Sequence, residues 1–384
     1  MNRTEVVVIG AGQAGLAMSR CLTEVGADHV VLERGRTAER WHSERWDSLR
    51  LLTPNWASRL PGWQYRGPHP DGYMTAGELA AYLTDYAASF AAPIEHDSEV
   101  QAVRRGEHGF VVRAGDVTWT APHVVLATGW CDRPRVPAMS AGLHPSIRQC
   151  TPSTYRRPAD LPADGQHSRA PRRYRGMDIW WWLDRIGTFS TTIDSVSDPA
   201  RSRAEGAIQL VGRDDHRDVD LAALHALGVR LTGRLTAIDG VRATFADDLV
   251  TTTADADERL RRLLGQIDAH IDEHGLRREV LAADVPAPVP AVAPLPSIDL
   301  RAAGITTVLW ATGYRRHHPW LHVPVLDRSG EVAQRRGVTP VDGLYVLGQR
   351  FQHRRDSNFI DGVRHDAVAL TRHLVDRFSQ PATH

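Results

Sequence analysis

The chain has 384 residues, 42% hydrophobic and 24% charged, with a formal net charge of +0 and a pI of about 7.4. That is globular composition with room for two domains and a core that needs no staples, and the balanced charge leaves no footprint for nucleic acid or an anionic membrane surface. All 46 basic residues are arginine, which excludes pyridoxal-phosphate Schiff-base chemistry and a Walker-type phosphate loop, since both need a lysine amine.

Glu5 to Ile9 is a short β-branched run and reads as a buried parallel strand. Gly10-Ala11-Gly12-Gln13-Ala14-Gly15 follows at once, then a helix over Leu16 to Val25 closed by Gly26, then a second buried strand, His29 to Leu32, ending at Glu33. Strand, G-x-G-x-x-G, helix, strand and acid together predict a dinucleotide site. Gly10 makes the tight turn, Gly12 lets backbone approach a pyrophosphate, and Gly15 lets the helix pack on the sheet. The helix start offers unpaired N–H groups and the positive dipole end to the phosphates. Glu33, about 20 residues on, is placed to accept from ribose hydroxyls.

Arg40-Trp41 and Trp46-Asp47-Ser48-Leu49-Arg50-Leu51-Leu52-Thr53-Pro54 come next, then Leu60-Pro61-Gly62-Trp63 and a helix over Glu78 to Phe90. Val124 to Gly129 is a strand running into an Ala-Thr-Gly turn, and the pattern recurs at Val308 to Tyr314. Gly343 to Gly348 is a further strand, followed by a helix beginning near Asp361-Gly362-Val363. In spacing and residue type this resembles the bacterial flavin-containing monooxygenase-like family, among the two-dinucleotide-binding-domain flavoproteins, over nearly the whole chain. The resemblance implies an α/β fold of the glutathione-reductase type: a Rossmann-like FAD-binding domain, residues 1–155 plus 305–384, with a truncated second domain, 156–304, carrying a Pro-rich linker at 286–296. It implies FAD as cofactor. Beside Gly10, Gly12, Gln13, Ala14, Gly15 and Glu33, it carries over Arg34, Trp41, Leu51, Thr53, Val100, Ala127, Thr128, Gly129, Gly348, Phe359 and Ile360 as FAD neighbours. The C-terminal helix is expected to point its start at the flavin pyrimidine ring. Trp46 and Trp63 are read equally as flavin neighbours or core.

One part of the family pattern is missing. A second G-x-G-x-x-G, which in the family holds NADPH, is expected after Ser153 to Pro158, but none occurs between Arg156 and Gly304. Ala159 to Pro171 shows no apolar strand, fingerprint or helix, and Arg172 to Leu183 resumes the match. The family's signature histidine falls at Thr151, four before Tyr155. A pyrophosphate needs backbone N–H groups at a helix start or nest. The expectation is therefore an FAD-dependent oxidoreductase on a small organic molecule without its own NADPH site, reduced by its substrate or by an external reductase. Two other readings stay open: a non-redox FAD-bound cyclase, isomerase or lyase, and a conventional NADPH-dependent monooxygenase.

Within the second region, Ile208 to Arg213 is strand-like and Leu221 to Leu227 a short helix. Val229 to Ile238 and Val241 to Phe245 read as strands about the Asp239-Gly240 turn, and Thr252 to His274 as an amphipathic helix. The arginines at 172, 173 and 175 read as a solvated face. Asn55 and His353 are the candidate catalytic side chains, an amide near flavin N5 and an acid–base group. No metal-ligand spacing is found around His317-His318 or His353. Cys21, Cys131 and Cys150 include no C-x-x-C pair, which fits a reducing cytoplasm. No signal pattern or span of about 18 apolar residues is seen.

Overall fold

The computed structural model describes residues 1–156, 169–205 and 210–378. At its centre lies a five-stranded parallel sheet. In spatial order its strands are Leu344–Val346, His123–Leu126, Val6–Ile9, His29–Leu32 and Ile94–Glu95. By chain position this is order 3-2-1-4-5 read from the Ile94 edge, the Rossmann arrangement. Val6–Ile9 is buried along its whole length because its two faces feed two cores. Val6 and Val8 face the helices Gln13–Glu24, Ala76–Ser89 and Val363–Phe378. Val7 and Ile9 face the other way, onto the antiparallel strands Val100–Gly106, Gly109–Ala114 and Val117–Ala121. A strand covered on both faces has no reason to alternate, hence the unbroken apolar run.

The helix expected from Glu78 begins at Ala76, because Thr75 and Glu78 close a reciprocal capping box there. The helix expected over Thr252 to His274 spans Leu249–Glu273 and buries Leu260, Leu264, Ile267 and Ile271. These pack on Tyr174, Trp180 and Trp182, and the Trp182 indole donates to the Tyr174 carbonyl at 2.8 Å. Leu221–Ala226 forms the short helix.

Strands Leu235–Asp239 and Arg242–Phe245 make the expected hairpin, with Ser297–Asp299 as third strand. The strand expected from Val229 begins only at Leu235, because its ladder with the partner strand ends at the Leu235–Phe245 pair. Of the expected run Ile208 to Arg213, Ile208 and Gln209 lie outside the described residues, and 210–213 form no strand. Most of the stretch after Arg156 also lies outside them. Thr307–Leu309, the strand of the second Ala-Thr-Gly turn, pairs with Arg148–Cys150 and not with the five-stranded sheet. The second region thus takes one strand from each side of the boundaries expected near 155 and 305. Among the described residues no helix is long and apolar enough to cross a membrane.

Candidate functional site

The cleft opens where the strand order reverses, at the carboxyl ends of Val6–Ile9 and His123–Leu126, where doubly wound sheets place their ligands. Its cavity volume is about 320 Å³. The glycine turn forms its floor. Gly10 has φ +104°, and a Cβ there would lie 2.8 Å from the Ala127 carbonyl oxygen, so the turn locks onto the first Ala-Thr-Gly segment. Gly12 caps the helix Gln13–Glu24 with no side-chain hydrogen bond, so the first-turn N–H groups have no side-chain acceptor. A Cβ on Gly12 would meet nothing within 4 Å. Together these form a cradle for a diphosphate, with dipole and donors aimed at it. Gly15 differs from its expected role: a Cβ there would strike the Gly10 carbonyl, with Val8 Cγ1 at 3.5 Å. It gives room to the turn itself more than to the sheet.

Glu33 is buried and preset. Its Oε2 accepts from Ala11 N at 2.7 Å and its Oε1 from Gly35 N at 3.2 Å. A carboxylate oxygen has room for more than one donor, so Glu33 keeps acceptor capacity toward the cleft. Gly348, at φ +81°, lies so near Ala14 that a Cβ would come within 2.8 Å of it. The next residue, Gln349, is buried, and its Oε1 has no partner among the described residues.

Of the residues carried over from the resemblance, Gly10, Gly12, Gln13, Ala14, Glu33, Arg34, Trp41, Val100, Ala127, Thr128, Gly129 and Gly348 line this one cleft. Gly15, Leu51, Thr53, Phe359 and Ile360 do not. Leu51 and Ile360 are core residues on the helical side of the sheet, and Phe359 packs on Trp180 with ring centroids 5.2 Å apart. Trp63 packs on Tyr82 and Tyr86, the core role; Trp46 lies against Tyr155.

The two catalytic candidates lie outside the cleft. Asn55 is buried with both ends of its amide engaged: Oδ1 accepts from Met74 N at 2.7 Å and Nδ2 donates to the His69 carbonyl at 3.0 Å. It staples two loops through one acceptor and one of its two amide donors. His353 sits at the seam with the second region, where its carbonyl accepts from Ile193 N at 2.7 Å. Its Nδ1 is 3.6 Å from the buried Asp366.

Sequence reading missed part of the wall: Arg40, Arg45, Cys131, Asp132, His317 and His318. His317-His318 was visible as a pair but had no spacing rule to place it. Burial pushes the Cys131 thiol up and His318 down, so both favour the neutral form. Arg45 stacks over Trp41 at 4.9 Å. Among the described residues the three cysteines form no disulfide and no group of metal-binding side chains assembles.

Residues 7–155 match the family model described as pyridine nucleotide-disulphide oxidoreductase. An uncharacterized oxidoreductase, CzcO-like, of Geobacillus kaustophilus is 28% identical over 97% of this chain and 98% of its own. The flavin-containing monooxygenase of Stenotrophomonas maltophilia superposes with a TM-score of 0.63 at 19% identity, covering 99% of this chain and all of its own. Over nearly its whole length the chain is thus similar to an oxidoreductase, and it shares the fold of a flavin-containing monooxygenase. Arabidopsis indole-3-pyruvate monooxygenase YUCCA6 is 33% identical, but over 35% of this chain and 34% of its own. The family match ends at Tyr155, where the family pattern lapses in the sequence.

Arg173 is exposed as expected, but Arg172 and Arg175 correct the expectation of solvation. Arg172 is 1% exposed. It pairs with Asp178, donates to the Leu52 carbonyl at 2.8 Å and lies over the Tyr73 ring. Tyr73 in turn donates to Asp178 at 2.6 Å. Arg175 pairs with Asp268. Arg172 thus pins the second region onto the Leu51–Thr53 segment.

Proposed function

We propose that FAD lies across the Gly10–Gly15 turn with its adenosine ribose on Glu33, and that the protein oxidises a small organic molecule without an NADPH site of its own. One observation carries this reading: the chain has a single dinucleotide fingerprint, and Arg156 to Gly304 contains no second. The packing supports it. The Gly212 backbone abuts the Leu51 carbonyl and the Tyr73 side chain, so the second region is seated directly on the FAD-binding unit.

Bound FAD supplies the two-electron chemistry. The protein's own part is to bind and orient. The helix start and Gly12 hold the diphosphate, Glu33 fixes the ribose, and Trp41 and Val100 exclude water. Of the two candidate side chains we keep His353 as proton carrier and assign Asn55 to loop positioning. Electrons come from the substrate or from an external reductase.

The test is anaerobic mixing of the purified yellow protein with NADPH, then with a panel of alcohols and amines, followed at the flavin band. No bleaching by NADPH together with bleaching by a substrate or by a separate reductase is the expected result. Rapid bleaching by NADPH alone overturns the missing-site reading. Turnover of a substrate while reduction is blocked overturns the redox reading.

A further inference from the structure

One carboxylate ties together three segments of the cleft wall. Asp132 Oδ1 accepts from Arg40 Nη2 at 2.8 Å, and its Oδ2 accepts from His317 N at 3.0 Å. Arg40 approaches Glu44 at 3.7 Å, and Glu44 also takes Arg34 at 2.7 Å. Arg34, Arg40, Asp132 and His317 all line the cleft. The result is an alternating chain of charge along one rim, from the end of the second strand to the two segments that join the FAD-binding unit to the second region.

Those two segments are themselves zipped together. Arg133–Pro134 pairs antiparallel with Tyr314–Arg315, Arg135 N donates to the Gly313 carbonyl at 2.8 Å, and Trp130 meets Tyr314 edge-on. Each of the two follows an Ala-Thr-Gly turn whose glycine has positive φ, Gly129 at +76° and Gly313 at +87°. The Asp132–Arg40 pair ties the zipper to the opposite wall, because Arg40 belongs to the short helix Glu39–Ser43. The pair is only 21% and 24% exposed at its side chains, so it is less screened than a surface bridge.

We propose that Asp132 is the clasp of the cofactor cleft: it holds the paired crossing segments against Arg40 and so slows the escape of FAD. The inference rests on FAD occupying this cleft, as above. Asp132 is a positioning residue here and touches no reacting atom.

The test follows FAD release from the holoprotein by flavin fluorescence after dilution, for wild type, Asp132→Asn and Arg40→Met, with circular dichroism of each. The expected result is release at least about tenfold faster in both variants, which corresponds to about 1.4 kcal/mol, with unchanged secondary structure. Wild-type release should also accelerate between 0.1 and 1 M NaCl, where the screening length falls from ~10 to ~3 Å, and Asp132→Asn should flatten that dependence. Variants that keep FAD within twofold of wild type overturn the clasp. If neither variant folds, the wild-type salt series decides, and a release rate indifferent to salt overturns it. A wild-type protein that never takes up FAD overturns the underlying reading and the clasp with it.

Discussion

Gly12 and Gly10 belong to one motif yet fail differently. Gly12 sits at φ −84°, which any residue adopts, and its missing side chain faces open cleft. Gly12→Val should therefore leave the fold within about 0.5 kcal/mol of wild type while FAD uptake falls at least about tenfold, as bulk enters the diphosphate cradle. Gly10 is at φ +104° with a carbonyl oxygen 2.8 Å from where a Cβ would stand. Gly10→Ala should cost roughly 1–3 kcal/mol of strain, seen in urea denaturation even without flavin. Equal stability of the two variants would refute this division of labour. The glycines and Glu33 were legible in the sequence because their chemistry is set by spacing along one strand–turn–helix unit. Arg40, Asp132 and His317 were not, because their meeting is made by three segments far apart in the chain. The links from Asn55 to Met74 and His69 were not legible for the same reason, since only the folded loops bring these partners together.

At the scale of elements, the parallel strands and the major helices were readable from apolar runs and spacing, with ends shifted by caps such as Thr75. The seam between the two regions was not readable. A cluster of three arginines looks like solvent-facing surface, yet Arg172 is buried against Asp178, Tyr73 and the Leu52 carbonyl. Arg172→Met leaves Asp178 buried with only Tyr73 and Trp180 N as donors. Removing one partner of a buried pair costs about 3–5 kcal/mol, and the two surviving hydrogen bonds place the expected loss at the lower end. Urea denaturation monitored by tryptophan fluorescence reads this directly, since Trp180 and Trp182 share the core that Arg172 anchors. A loss below about 1 kcal/mol would show that the seam does not depend on this arginine.

Across the whole molecule, burial sets how the fold responds to acid. His29, His123, His318 and His365 are all held below the usual histidine range, chiefly by desolvation. His365 falls furthest, to about 4, with Arg364 and Arg354 repelling its proton and Asp361 and Asp366 attracting it more weakly. In the unfolded chain these rings titrate near pH ~6.5. Between that value and their folded values the unfolded chain binds more protons, so stability falls as pH falls through this window. Asp218 and Asp356 act in the opposite sense, because burial raises their carboxyls. Protonated in the fold first, they favour it only nearer the carboxylate range. The histidine loss therefore begins earlier, and the melting temperature should decline from about pH 6.5 downward. His365→Gln removes the largest single contributor without adding charge, so its melting curve between pH 6.5 and 4 should be flatter than that of the wild type. Parallel pH profiles for the two proteins would show that the protonation of His365 is not linked to folding.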